Sequence, residues 1–266
     1  MTALRLTPLF AFGSRRALHM IERNLVVYKH QWVGLLSGFF EPLFYLLSIG
    51  FGLGRLVGDV AGPGGQPIAY ILFVAPALLA ASSMNGAVTE ATFNFFFKLN
   101  YDKTFASILT TPMAPADISL GELMWALIRS ALYTIGFIAV MVVLGLVRSP
   151  FLLLTLPGAL LIAFAFGAVG MAATSFMRTW QDFDLIQLVI LPMFLFSGTF
   201  FPLDALPDAV RLVVQLTPLY HGVELLRELS LGVIEPGILV HVAYLAAMGL
   251  LGFAVVAKRL DKLLLK

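Results

Sequence analysis

The 266-residue sequence contains no cysteine, which excludes disulfides, thiolate metal sites and cysteine nucleophiles. It has no Gly-Lys pair and no G-x-x-x-x-G-K-[ST] stretch, so this chain cannot cradle ATP phosphates in the Walker manner. Charge is scarce as well: Asp, Glu, Lys and Arg make up 12% of the residues, against about 25% in a soluble domain. A net charge of +2 is too small to point to nucleic acid. The histidines His19, His30, His221 and His241 are scattered without metal-ligand spacing, and no metal site is expected. No cleavable signal peptide is expected either, because Arg15, Arg16 and Arg23 follow only a brief apolar run. What fills the chain is hydrophobic side chains, 60% of all residues, with a mean hydropathy of +0.94. That is the composition of an integral membrane protein.

The apolar runs predict an all-α polytopic protein with six transmembrane helices, at about 31–54, 68–87, 123–146, 151–176, 185–201 and 238–257. A crossing needs about 20 residues, so the fifth is short. Residues 1–30 carry five basic side chains against the single acid Glu22, with Leu18, Ile21 and Val26 interleaved. This suits a helix lying in the headgroups of a cytoplasmic leaflet, ahead of a transmembrane domain over 31–266. The Gly-rich turn AGPGGQP, 61–67, joins spans one and two into a helical hairpin. Residues 202–237 are mixed rather than polar, with helical patches at 209–216 and 222–231 broken by Pro218; neither patch can span.

Another long interruption runs from Phe93 to Ala126. Tyr101, Phe105 and Ile108, with Leu109 beside them, recur at one-face helical spacing, while Asp102, Lys103, Ser107 and Thr110 fall elsewhere. The spacing predicts a short amphipathic helix at about 99–111, ended by Pro112 and Pro115. Ser119 and Glu122 have capping-box spacing before the apolar run from Leu123. Such a helix is either a membrane-surface loop or a docking element for another protein.

Orientation follows from basic residues. With the N-terminus cytoplasmic, the inner side holds Arg5, Arg15, Arg16, Arg23, Lys29, Lys98, Lys103, Arg178, Lys258, Arg259, Lys262 and Lys266, twelve in all. The outer side holds four, Arg55, Arg148, Arg211 and Arg227, and Arg129 lies inside span three. Six spans return both termini to the cytoplasmic side.

Glu41, beside Pro42 in the middle of span one, is costly there, by at least about 2.5 kcal/mol if ionised. It either faces a polar path or gate or is a neutral packing residue at a proline kink. Glu122 and Arg129, seven apart, share a helix face; Arg129 could snorkel to the inner headgroups or touch substrate. Phe93, Phe95, Phe96, Phe97 and Tyr101 read as an interfacial belt or an amphiphile entry surface. Gly50 and Gly54 have a spacing that permits close helix approach or simply frays a helix end. Asp182 and Asp184 read as a solvated turn.

Three blocks together resemble a known family: EPLFYLLSIGFGLG, 41–54; DKTFASILTTPMAPADISLGELMWA, 102–126; and SGTFFPLDALPDAVRLVVQLTPLYHGVELLREL, 197–229. The chain is similar to permease subunits of the ABC-2 class of ABC exporters, within it to the NodJ group associated with lipo-oligosaccharide export. The resemblance implies an interfacial connecting helix at 10–30 and a coupling helix around Tyr101–Thr111, seated in a nucleotide-binding subunit. It also implies a pair of re-entrant helices at 202–231, involving Phe201, Pro202, Leu206, Pro207, Pro218 and His221, that close the outer mouth. Two permease copies and two ATPase subunits would form the working unit, with ATP and Mg on the partner and no cofactor on this chain. It would then be a non-enzymatic, multi-pass subunit of the cytoplasmic membrane, exporting an amphipathic molecule.

Two alternatives compete. A membrane-embedded lipid-modifying enzyme would need acid, base or metal groups clustered at one depth, which the isolated Glu41, Glu122 and His241 do not supply. A proton-coupled secondary transporter would need inverted repeats with paired broken helices, whereas Pro42, Pro76, Pro157 and Pro192 show no repeat symmetry.

Overall fold

A computed structural model describes residues 15–29, 40 and 43–265. Glu41 and Pro42, together with most of the first expected span, lie outside the described residues. An amphipathic helix α1 (Arg15–Tyr28) is followed by an apolar helix α2 (Leu43–Val57) with a π-helical stretch at Leu46–Leu53. The Gly-rich turn is a β-hairpin rather than a plain helical connection. β1 (Asp59–Ala61) pairs antiparallel with β2 (Pro67–Ala69), and Gly64 and Gly65 take the positive φ that the tight turn needs.

Among the described residues, four helices are long and apolar enough to cross a membrane: α3 (Tyr70–Tyr101), α5 (Pro115–Val143), α6 (Pro150–Thr174) and α10 (Ile238–Leu264). Helix α7 (Phe183–Phe196), at 14 residues, and α2 are shorter. The two short outer segments are α8 (Asp208–Gln215) and α9 (Pro218–Leu231). Pro218, expected to separate the two patches, does so by opening α9 at the first position, where a missing N–H costs nothing.

Helix α3 is central, 83% of its apolar window being buried against 17% for α10. An apolar cluster toward the hairpin joins Phe73, Leu78, Phe137, Phe166 and Leu226. A second, at the opposite end, joins Met20, Phe95, Phe105, Ile118 and Leu260, so α1 and the end of α10 meet at that end. Small residues set the closest approaches. A Cβ on Gly252 of α10 would fall 2.8 Å from the Val169 nitrogen of α6, and one on Gly121 would fall 2.5 Å from Met20 Cβ of α1. Gly50 does the same for α2, packing on Ile71 of α3.

Candidate functional site

The second expected span is longer than hydropathy indicated. Helix α3 runs past residue 87 to Tyr101 through two π-helical stretches, Glu90–Asn94 and Phe97–Tyr101, which absorb the polar side chains without ending the helix. Glu90, Asn94 and Lys98 therefore descend one helix with four-residue spacing, inside the protein. Glu90 is 1% exposed.

These side chains form a buried network with α1 and α5. Arg129 Nη1 donates to Glu90 Oε2 and Arg129 Nη2 to Tyr133 Oη at 2.8 Å. Asn94 Nδ2 donates to Glu90 Oε2 at 2.6 Å, and Tyr28 Oη of α1 donates to the same carboxylate at 3.0 Å. Lys98 Nζ lies 2.6 Å from Glu122 Oε2 and 3.5 Å from Glu90 Oε1. Two carboxylates face two cations, which is what makes burial of four charges tolerable. Burial, then the Glu90 charge, holds the Tyr28 phenol well above its usual range, so it stays a donor.

Several expectations change here. Arg129 does not snorkel: it is 6% exposed and ion-paired. Glu122 does not cap a helix. Helix α5 starts four residues before Ser119, at Pro115, and Asp117 accepts from the Ala114 N–H at 3.0 Å. Ala114 has no capping side chain of its own, so this is half a capping box. The aromatic belt is also split, because Phe95 and Phe96 are fully buried while Phe93 and Tyr101 are about half exposed.

The expected 99–111 helix is shorter. Tyr101 ends α3, Asp102 and Lys103 form the turn, with Lys103 in the left-handed region at φ 49°, and helix α4 covers only Thr104–Ile108. Phe105 is completely buried against Phe95, their ring centroids 5.1 Å apart. Ile108 and Leu109 are half-buried on the same cluster. The apolar stripe thus anchors the segment to its own protein, and the exposed face is Tyr101, Asp102, Lys103, Ala106 and Ser107. Arg16 of α1 donates to the Pro112 carbonyl at 2.6 Å and ties the following turn down.

At the hairpin end, Arg227 of α9 is buried rather than a loop cation. It donates to the Gly198 carbonyl at 2.6 Å and to Glu224 at 2.5 Å, and stacks on Phe73 at 3.8 Å. Phe201 and Pro202 lead into a short 3₁₀ turn, Leu203–Ala205; Leu206 and Pro207 follow it, and Pro207 precedes α8. These elements wall a polar cleft of about 240 Å³ with Asp204, Arg211 and Tyr220. A second cleft of about 290 Å³, at the other end, lies between α1 and α3 and is lined by Arg23, Asn24, Phe93 and Lys98. No cluster of three or more metal-ligating side chains occurs among the described residues.

Residues 16–231 match the family described as ABC-2 type transporter. The chain belongs to that family. Among curated proteins it is similar to Nodulation protein J of Rhizobium leguminosarum bv. trifolii, 34% identical over 222 residues that cover 83% of each chain. It is also similar to Nodulation protein J of Rhizobium leguminosarum bv. viciae, 30% identical over 256 residues, 96% of this chain and 97% of that one. The protein is thus an ABC-2 type membrane transport component with a polytopic helical architecture. The matched stretch contains the whole buried network and the 101–111 turn.

Glu90, Asn94, Lys98 and Tyr28 were not singled out from the sequence as a site of this transporter. The usable signal was the four-residue polar stripe Glu90, Asn94, Lys98, which reads as a helix face once the span is extended. Also unforeseen is the meeting of His221 and His241, whose Nδ1 atoms lie 2.7 Å apart.

Proposed function

We propose that this chain is the six-span permease subunit of an ATP-driven exporter, moving an amphipathic molecule outward across the cytoplasmic membrane. Two copies, or one copy and a sister permease, pair with two nucleotide-binding subunits that hold ATP and Mg. Setting aside the ion-paired Lys98 and Arg227, the bias of basic residues is eleven to three and supports cytoplasmic termini with the α1 end inside. Helices α2 and α7 serve as the two shorter crossings, and α8 and α9 dip back at the outer mouth.

One observation carries the reading. The exposed turn around Lys103 hangs from α3, and the buried Glu90, Lys98, Glu122 and Arg129 network locks that part of α3 to α1 and α5. A push on the turn therefore moves three helices as one body, which is what mechanical coupling to an ATPase requires. ATP does work here only by binding one arrangement better than the other. The cargo in this reading is an amphiphile with a polar head, the class that the resemblance to lipo-oligosaccharide exporters implies.

The test is co-purification of this chain with a nucleotide-binding subunit, which the proposal expects to find encoded in an adjacent reading frame with a phosphate loop. Ala106→Arg changes an exposed position and should abolish ATPase capture and substrate-stimulated turnover while the permease stays folded. Full turnover by that variant, or transport by the purified chain alone, overturns the proposal.

A further inference from the structure

Two imidazoles from separate elements meet at the hairpin end. His221 lies in α9 and is 8% exposed; His241 lies in the first turn of α10. Their Nδ1 atoms are 2.7 Å apart, a contact that needs one ring to carry its proton on Nδ1 and the other to offer a lone pair there. On its far side, His241 Nε2 lies 3.9 Å from Glu228 Oε1. Glu228 also accepts from the Glu235 N–H at 3.1 Å. Tyr244 stacks on His221 with centroids 4.1 Å apart and donates to the Leu216 carbonyl at 2.8 Å.

The remaining titratable groups around the rings are committed elsewhere or paired. Tyr220 stands edge-on to His241 at 5.9 Å. Glu224 is tied to Arg227, and Arg211 to Asp204 at 3.0 Å. From α3, the Tyr70 hydroxyl donates to the Phe200 carbonyl; α6 presents Ile162 to Gly222; and the hairpin meets the segment after α9 through Gly64 and Val233. The Gln215 backbone faces His221 from α8.

We propose that His221 and His241 form a proton-operated latch between α9 and the last long helix. With the pair neutral, one shared Nδ1–H ties the two elements. A first proton taken up from water settles on the free Nε2 of the donating ring and leaves that bond intact. A second proton puts an N–H on both Nδ1 atoms, the two donors face one another, and the tie opens. Opening therefore needs both protons and follows the second, which the charge of the first opposes. Outside the four long helices, burial and then the neighbouring His241 push His221 down to about 4, so opening belongs to acid conditions. That the latch senses the exit side rests on the orientation proposed above; the latch itself does not.

The native chain has no cysteine, so nitroxide labels can be placed at Leu212 and Leu239, which are 64% and 71% exposed. The full chain is held in lipid nanodiscs with EDTA throughout, both faces open to buffer, so an error in orientation leaves the result unchanged. The label-to-label distance should shift between about pH 7.5 and about pH 4 in the otherwise native chain. His221→Phe and His241→Phe, which keep a stacking ring, should each abolish the shift. Glu228→Gln keeps both histidines and an acceptor for the Glu235 N–H, and should leave the midpoint within about half a pH unit, because burial pushes the Glu228 carboxyl up and it is already neutral at the acid pH where the latch opens. No shift in the native chain, an unchanged shift in both Phe variants, or loss of the shift with Glu228→Gln overturns the latch.

Discussion

The two ends of this molecule bury charge in different ways. At the α1 end, two carboxylates and two cations on α3 and α5 neutralise one another, with Tyr28 of α1 donating to Glu90. At the hairpin end, Arg227 has one carboxylate, Glu224, and is otherwise held by backbone carbonyls and an aromatic face, and two histidines share a contact. The first arrangement is a set of ion pairs that offset one another's burial. The second brings together two imidazoles, the side chains whose charge changes most readily near neutral pH.

The comparison is most easily broken at the α1 end. Arg129→Met leaves Glu90 buried without its main counter-charge and should destabilise the chain by about 3–5 kcal/mol, read from thermal unfolding in detergent. Adding Glu90→Leu to it should restore much of the loss, since the unpaired charge and not the missing bond is the main cost. If the double variant is no better than the single, the network is not a self-neutralising unit.

Phe105→Asp comes next. Because the ring is fully buried against Phe95, it should cost about 3–5 kcal/mol and release the 102–111 turn to proteolysis. Ala106→Arg, one residue on, should leave the melting temperature unchanged, which separates anchoring from docking. Gly121→Ala should cost about 1–3 kcal/mol, because the new Cβ would sit 2.5 Å from Met20 Cβ and lever α1 away from α5. A melting curve matching the native one would show that α1 can yield without loss.

Asp182 gives the smallest effect. Its exposed carboxylate accepts from the Arg178 N–H at 2.8 Å and the Thr179 N–H at 3.1 Å, and these bonds hold its pKa below the usual range. A depressed carboxylate stabilises the fold above its unfolded pKa and loses that contribution as pH falls through the folded one. Asp182→Asn should therefore shift melting slightly near neutral pH and flatten the acid side of the profile.

Hydropathy found the four long helices of the described residues and one end of each, because about 20 apolar side chains in a row have one comfortable solvent. It erred where polar residues sit inside a span. Span two appeared to end at residue 87 because Glu90, Asn94 and Lys98 look like loop residues one at a time. Only α5 and α1, arriving with Arg129, Glu122 and Tyr28, make that stretch stable as buried helix. The stripe of Tyr101, Phe105 and Ile108 was legible as amphipathic, but periodicity cannot say whether an apolar face meets a partner or the protein's own core. Here Phe105 meets its own core.

By itself, then, the sequence determined the class of molecule, the absence of a Walker phosphate loop and the approximate places of its long helices, since these depend on composition and local chain chemistry. The tertiary structure alone decided which charges neutralise one another, which face of the 101–111 turn is free and that His221 touches His241. Those outcomes depend on residues between 20 and 62 positions apart reaching one point in space, and neither hydropathy nor periodicity carries that distance.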